Sequence, residues 1–283
     1  MAVRFVVFGD TKGKNDGINR TVLEKIMRQI KLLDKKPNFF VTLGDTIGGS
    51  NDLGKHRSQM TSFKEIVSQY FPNNLILHVV GNHEVNNFPI DDTYEKLINE
   101  EYLTFKKHGS LNICNDTAYY MDLPYCRFIV LNCYHHGELR KIENKQLEWF
   151  KKISAVDKKF KIVFIHCPPF PTGAHLGTCL DEFAEQRDEF WRAVEKSKVN
   201  IVFAGHEHNY SRRLLHGISD DISQIVTGGG GEKLRDSFKS KQGVVVSPKA
   251  LYHFVVVDLD RECIEIKAIS INGKVIDEFM IRN

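Results

Sequence analysis

Residues 74–84 read NLILHVVGNHE, an apolar run that closes on Gly81 and then presents Asn82, His83 and Glu84. A short aliphatic run bounded by a turn signal is the pattern of a buried strand. Polar groups just beyond its carboxyl end lie where open α/β sheets bind their ligands. The same arrangement recurs along the chain. RFVVFGD (4–10) ends in Asp10 and NFFVTLGD (38–45) in Asp45, while KFKIVFIHCPP (159–169) presents His166 and NIVFAGHEH (200–208) presents His206 and His208. Gly9, Gly44, Gly81 and Gly205 each directly precede the polar residue.

Each of these residues has an ordinary reading when taken alone. Asp10 and Asp45 could cap helices, and His166 could be a hydrogen-bonded core histidine. His206 and His208, two apart, would share one side of an extended segment. Together, two carboxylates, a carboxamide and three imidazoles are borderline-to-hard donors suited to Mn, Fe, Zn or Ni. Six such ligands, one of them bridging, suffice for two ions about 4 Å apart.

Around these strands the chain alternates β-branched runs with helical periodicity, which predicts an α/β fold. Thr21-Val22-Leu23-Glu24 resembles a capping box, followed by Val22, Ile26, Ile30 and Leu33 at helical spacing. Further helices are predicted on Met60, Phe63, Val67 and Tyr70, and on Tyr94, Leu97, Ile98, Tyr102 and Phe105. Leu147, Phe150 and Ile153 predict a fourth, and Phe183, Phe190, Trp191 and Val194 a fifth. The tail, YHFVVVDLDRECIEIKAISINGKVIDEFMI (252–281), predicts an antiparallel meander turning at 258–261 and at Asn272-Gly273. No repeat, linker or composition break divides residues 1–283, so one domain is expected.

With 39 basic against 36 acidic residues the chain is nearly neutral. That gives no electrostatic case for nucleic acid or an anionic membrane surface. No apolar run approaches the ~20 residues of a membrane span. No secretory leader pattern opens the sequence, and the six scattered cysteines lack CxxC spacing. Reduced thiols and a cytoplasmic location are the expectation.

The order Asp10, Gly44-Asp45, Gly81-Asn82-His83-Glu84, His166, Gly205-His206-Glu207-His208 resembles the calcineurin-like metallophosphoesterases. GHEHNYSRR (205–213), QLEWF (146–150) and IVTGGGGEKL (225–234) look most like the purple acid phosphatase-like branch. The resemblance implies a two-sheet α/β sandwich with flanking helices and a dinuclear transition-metal site. Asp45 would bridge the ions. Asn82, His166 and His206 would complete one set of ligands, and Asp10 and His208 would serve the other. His83 would ligate nothing and would protonate the leaving oxygen. The implied function is hydrolysis of a small-molecule phosphate ester by a metal-bound hydroxide, monoester ahead of diester. Alternatives are a phosphodiesterase or nuclease of the same superfamily, or an interaction module that has lost the chemistry.

Two positions depart from the pattern. Most of the superfamily has His where this chain has Lys12, and the purple acid phosphatases instead supply a tyrosinate at the position occupied here by Gly48. Protonated Lys has no lone pair for a metal. Lys12 could point outward as a solvated loop residue, hold a substrate phosphate as a point charge, or replace the second cation. Asn15, Asp16 and Asn19 are possible substitute ligands. Without the tyrosinate no purple colour is expected. His135, His136, His175 and Arg140 lie on loops at the expected ligand end, where they could contact substrate or be plain loop polar groups. Gly228–Gly231 reads as a turn between strands.

Overall fold

The computed structural model describes residues 2–14, 16–217 and 220–282. The first strand, β1 (Val3–Phe8), is buried from Phe5 onward and leads into α1 (Arg20–Lys31), whose Leu23, Ile26, Met27 and Ile30 fill one buried face. The helix cap differs from the expected box. Asn19 accepts from Val22 N–H, which places Thr21 inside the first turn. There follow β2 (Phe39–Thr42), α2 (Leu53–Tyr70), β3 (Leu75–His78) and α3 (Thr93–Glu101). The last helix stops before two of its predicted residues. Tyr102 stacks flat on His78 with ring centroids 3.9 Å apart, and the chain turns there to set Phe105 edge-on to Tyr119.

The middle of the chain carries β4 (Gly109–Ser110), β5 (Tyr119–Asp122), β6 (Cys126–Val130), α4 (Asn144–Ser154), β7 (Phe160–Phe164), α5 (Ala184–Lys196) and β8 (Ile201–Ala204). Phe183, expected in the fifth helix, sits at its N-cap. The remainder is β9 (Tyr210–His216), β10 (Asp221–Thr227), β11 (Val244–Lys249) and the predicted meander, β12 (His253–Leu259), β13 (Cys263–Ser270) and β14 (Val275–Arg282). Gly273 takes a φ of 78° in the last turn, where the Asn-Gly signal placed it.

Two sheets result, as the family resemblance implied. One runs β14-β13-β12-β1-β2-β3, and the other β11-β9-β10-β8-β7-β6-β5-β4. The meander extends the first sheet through the antiparallel pair β12–β1, with Val6 opposite Val256. Strands β1, β2 and β3 are mutually parallel, as are β6, β7 and β8. Their carboxyl ends are level: Phe8, Thr42 and His78 are in register in one sheet, and Phe164 and Phe203 in the other.

An aromatic stack joins the sheets. Phe5 and Phe39 of the first meet Phe128 and Phe164 of the second, with Phe5 and Phe128 centroids 4.9 Å apart. Phe164 in turn stacks on Phe203. Rings this size bury large apolar areas, and each favourable pair adds about 0.5–1.5 kcal/mol. The stack locks the relative position of two sets of strand ends, and that position defines the site.

Candidate active site

The level strand ends bring Asp10, Asp45 and Asn82 of the first sheet against His166, His206 and His208 of the second. Asp10, Asp45, His206 and His208 all have positive φ, between 51° and 68°. Non-glycine residues in this region are uncommon and cost energy, although Asp and His tolerate it better than most. The expectation of an extended His206–His208 segment is therefore corrected. Two left-handed residues flanking Glu207 turn the chain at each imidazole, so the alternation of a strand does not apply. The preceding glycines let the loops touch. A Cβ on Gly44, itself at φ 84°, would lie 2.6 Å from Gly81 N, and one on Gly205 would lie 2.6 Å from Asp10 Oδ2.

Two buried carboxylates that sequence reasoning passed over hold these loops. Glu84 accepts from the N–H groups of Gly81, Asp45 and Thr46 and from the Thr46 hydroxyl, at 2.6–2.9 Å. Glu207 accepts from the N–H groups of Thr172, Gly173 and Ala174 and from the Thr172 hydroxyl, at 2.6–2.9 Å. Each adjoins a candidate ligand within its motif, which was the available signal. The glycine run also does more than turn between strands. Gly230 N–H donates to Gly9 O, and a Cβ on Gly228 would lie 2.7 Å from Asp10 Oδ2, so the run forms a wall behind Asp10.

The hydrogen bonds of the imidazoles define what they offer. His166 Nδ1 is 2.6 Å from the Leu43 carbonyl, which can only accept, so Nδ1 carries the proton and Nε2 a lone pair. That Nε2 lies 3.0 Å from His206 Nδ1, 3.2 Å from Asn82 Oδ1 and 3.5 Å from Asp45 Oδ1. His208 Nδ1 donates to Lys233 O in the same way, leaving a buried Nε2 with no hydrogen-bond partner, 3.5 Å from Asp10 Oδ1. Burial pushes the pKa of His166 down, His206 well down and His208 down to about 3. All three are neutral, lone-pair-bearing groups at pH 7. Burial alone would raise the Asp45 carboxyl, but the Lys12 ammonium beside it holds it well below the usual range. Burial and the charge of Asp45 push Asp10 upward. Acceptors crowded together this way need a cation between them, and Asp45, His166 and His206 fit one as a converging set.

Lys12 corrects the expectation of a solvated loop residue. It is 8% exposed, its N–H donates to Asp45 O, and its Nζ sits 2.6 Å from Asp45 Oδ2. Burial alone would lower its pKa, but Asp45 and Asp10 raise it above the ordinary value, so it is an ammonium. The proposed substitute ligands are engaged elsewhere. Asn19 caps α1 and donates to Gly231 O, Asp16 faces Arg20, and Asn15 lies outside the described residues.

His83 sits beside this ion pair. Its Nδ1 donates to Gly48 O at 2.7 Å, its Nε2 is 4.0 Å from Asp45 Oδ2, and its side chain is 23% exposed. His175 packs 4.2 Å from the His206 ring and 5.4 Å from that of His208, with a buried, unpartnered Nε2 and a pKa pushed down to about 4 by burial. The other loop candidates are tied up. His135 bonds buried Glu95, His136 faces Pro89 O, and Arg140 pairs with Glu182. All six cysteines are free, and Cys167 and Cys179 come together with His206.

A family model described as calcineurin-like phosphoesterase matches residues 3–210. The serine/threonine-protein phosphatase CPPED1 of Danio rerio is 25% identical over 240 residues, 81% of this chain and 72% of that protein. Purple acid phosphatase 22 of Arabidopsis thaliana is 28% identical over 196 residues, 65% of this chain but 43% of that protein. In fold, the structure of the purple acid phosphatase PPD1 from yellow lupin (Lupinus luteus) seeds superposes with a TM-score of 0.76 at 19% identity. It covers all of this chain, which spans about half (54%) of that longer one. Among the described residues no helix is long and apolar enough to cross a membrane. With the motif spacing, the strand-end donors and these likenesses in agreement, the chain belongs to the calcineurin-like phosphoesterase family and is a metal-dependent hydrolase of phosphate esters.

Proposed function

We propose that the strand-end residues hold the catalytic metal and that the enzyme cleaves a small-molecule phosphate monoester, with His83 protonating the leaving oxygen. Asp45, Asn82, His166 and His206 would bind one transition-metal ion of the Mn, Fe, Zn or Ni group. Asp10 and His208, sharing Asp45, face the position where the family's dinuclear pattern calls for another. A bound ion supplies Lewis-acid charge and lowers the pKa of water. The chain's own residues do the rest. Glu84 and Glu207 hold the ligand loops in place, and the Lys12 ammonium supplies a fixed positive charge beside Asp45. The bond from His83 Nδ1–H to Gly48 O orients the ring and leaves Nε2 to carry a proton toward the leaving group.

The observation that carries this reading is the convergence of His166 Nε2, His206 Nδ1, Asn82 Oδ1 and Asp45 Oδ1, with a partly exposed, non-ligating His83 at its side. An interaction module would need no acid there. The test is turnover by the Mn-loaded chain of p-nitrophenyl phosphate, O-phosphoserine and bis(p-nitrophenyl) phosphate. Faster hydrolysis of the monoesters is expected. Faster diester hydrolysis would replace the monoester reading, and no turnover despite bound metal would favour the interaction module. Phosphoserine belongs in the panel because a relative is named a serine/threonine-protein phosphatase. The continuous core shared by both sheets supports residues 1–283 as one phosphoesterase domain, and the free thiols support a reducing, cytoplasmic setting.

A further inference from the structure

The second metal position does not fit a metal ion as the first does. Its donors are Asp10, His208 and the shared Asp45. The two places from which the family pattern would complete the set hold Lys12 and Gly48, and neither side chain can ligate. Asp45 divides its oxygens. Oδ1 faces His166 Nε2 and accepts the His83 N–H, while Oδ2 accepts from the Lys12 ammonium at 2.6 Å. A metal on Oδ2 would stand about 2.0–2.2 Å away, so ammonium and ion would compete for nearly the same space.

The backbone holds Lys12 in this place. Lys12 N–H donates to Asp45 O, Asn19 N–H to Thr11 O and Gly13 N–H to Gly17 O, and Lys12 forms a β-bridge with Ile18. The Thr11 hydroxyl donates to Thr46 O. The loop closed by these bonds fills the ground next to Gly48, where a Cβ would lie 3.2 Å from Gly17 Cα. A side chain at position 48 would press on this loop, whose backbone at Gly17 would have to give by a few tenths of an ångström. The glycine at 48 thus suits the close approach of the loop that carries the inward lysine.

We propose that the Lys12 ammonium takes the place of the second metal, so that this phosphoesterase works with one metal ion per chain; the proposal rests on the strand-end residues being a metal centre. Charge agrees with this. Asp10 and Asp45 together with the ammonium and one divalent ion sum to +1, whereas a second divalent ion would raise the cluster to +3 around an ammonium that cannot leave. Asp10 and His208, clustered with Asp45, then border the ammonium instead of holding a second ion.

The test is metal content. The full chain, stripped with a chelator and equilibrated with Mn²⁺, is gel-filtered and measured by elemental analysis beside K12H and K12A. One Mn per wild-type chain is expected, rising toward two in both variants. K12H should also show the multiline EPR spectrum of an exchange-coupled Mn(II) pair, absent from wild type. Two Mn per wild-type chain would overturn the proposal whatever the variants do, and so would one per chain in wild type and in both folded variants. A wild-type chain that binds no Mn and hydrolyses no ester fails differently, removing the metal centre itself.

Discussion

The two halves of the site are built by the same rule and finished differently. In both, a parallel strand stops at a glycine and a polar residue follows at once. On the His166 side, His166 Nε2, His206 Nδ1, Asn82 Oδ1 and Asp45 Oδ1 converge with no cationic side chain among them. On the His208 side, Asp45 Oδ2 pairs with the ammonium of Lys12, close enough to Asp10 for each to shift the other's pKa. On the proposal made above, the first half takes a cation from solution and the second carries its own. A fold that positions negative and neutral donors does not dictate what neutralises them. One substitution in a loop, with a glycine opposite to make room, is enough to exchange a diffusible ion for a tethered one.

The largest predicted effect sets the halves directly against each other. His206→Ala removes a candidate ligand of the metal half and should lower kcat/KM by ~10³-fold, the upper end of the cost of losing one electrostatic stabilising group. His208→Ala removes only a neighbour of the ammonium and should cost markedly less. Equal losses in the two variants would erase the distinction between the halves.

The next effect sharpens the comparison at the boundary between them, where His83 stands. His83→Ala should retain its Mn and lose ~10²–10⁴-fold on an alkyl phosphate, equivalent to about 3–5 kcal/mol. A nitrophenyl ester leaves without much protonation and should be spared. A uniform loss on both substrates would assign His83 to holding Asp45 rather than to proton delivery.

The smallest effect separates site histidines from core ones. His78 and His253 are also buried, but they bond the Thr42 and Thr227 hydroxyls and face no acceptor cluster. Burial pushes their pKa values down to about 3 and about 4. Being depressed in the fold, they leave the unfolded chain to take up the extra protons as pH falls. Stability is therefore full above pH 6.5 and is lost as pH falls toward 4, by on the order of 1 kcal/mol per pH unit for each. Urea midpoints between pH 7 and 5 should show this slope in Mn-loaded protein and a steeper one after chelation, when the buried site imidazoles add their own. A slope that disappears on chelation would place its origin in the metal half instead.

Much of the site was legible because period and punctuation report on regular elements. Apolar runs located the five strands that carry the candidate ligands, and the glycines marked where backbones had to approach one another. The Asn272-Gly273 turn and the meander followed from the same local chemistry. Strands β4, β5, β9 and β11 escaped notice, since two of them are short and Arg212 and Arg213 interrupt the alternation in β9. Glu84 and Glu207 escaped because their partners are backbone N–H groups, which no sequence pattern displays.

The sequence by itself determined the order of the candidate ligands, the α/β class and the family, because these depend on residue type and on spacing along a strand. Only the tertiary structure decided that Lys12 points inward, that His175 rather than His135 lies against the ligand imidazoles, and that Gly48 makes room for the 12–18 loop. The direction of a loop side chain is set by packing and hydrogen bonds to residues distant in sequence, here Asp45 to Lys12, Glu95 to His135 and Glu207 to the His175 loop. Such contacts exist only once the two sheets have closed on each other.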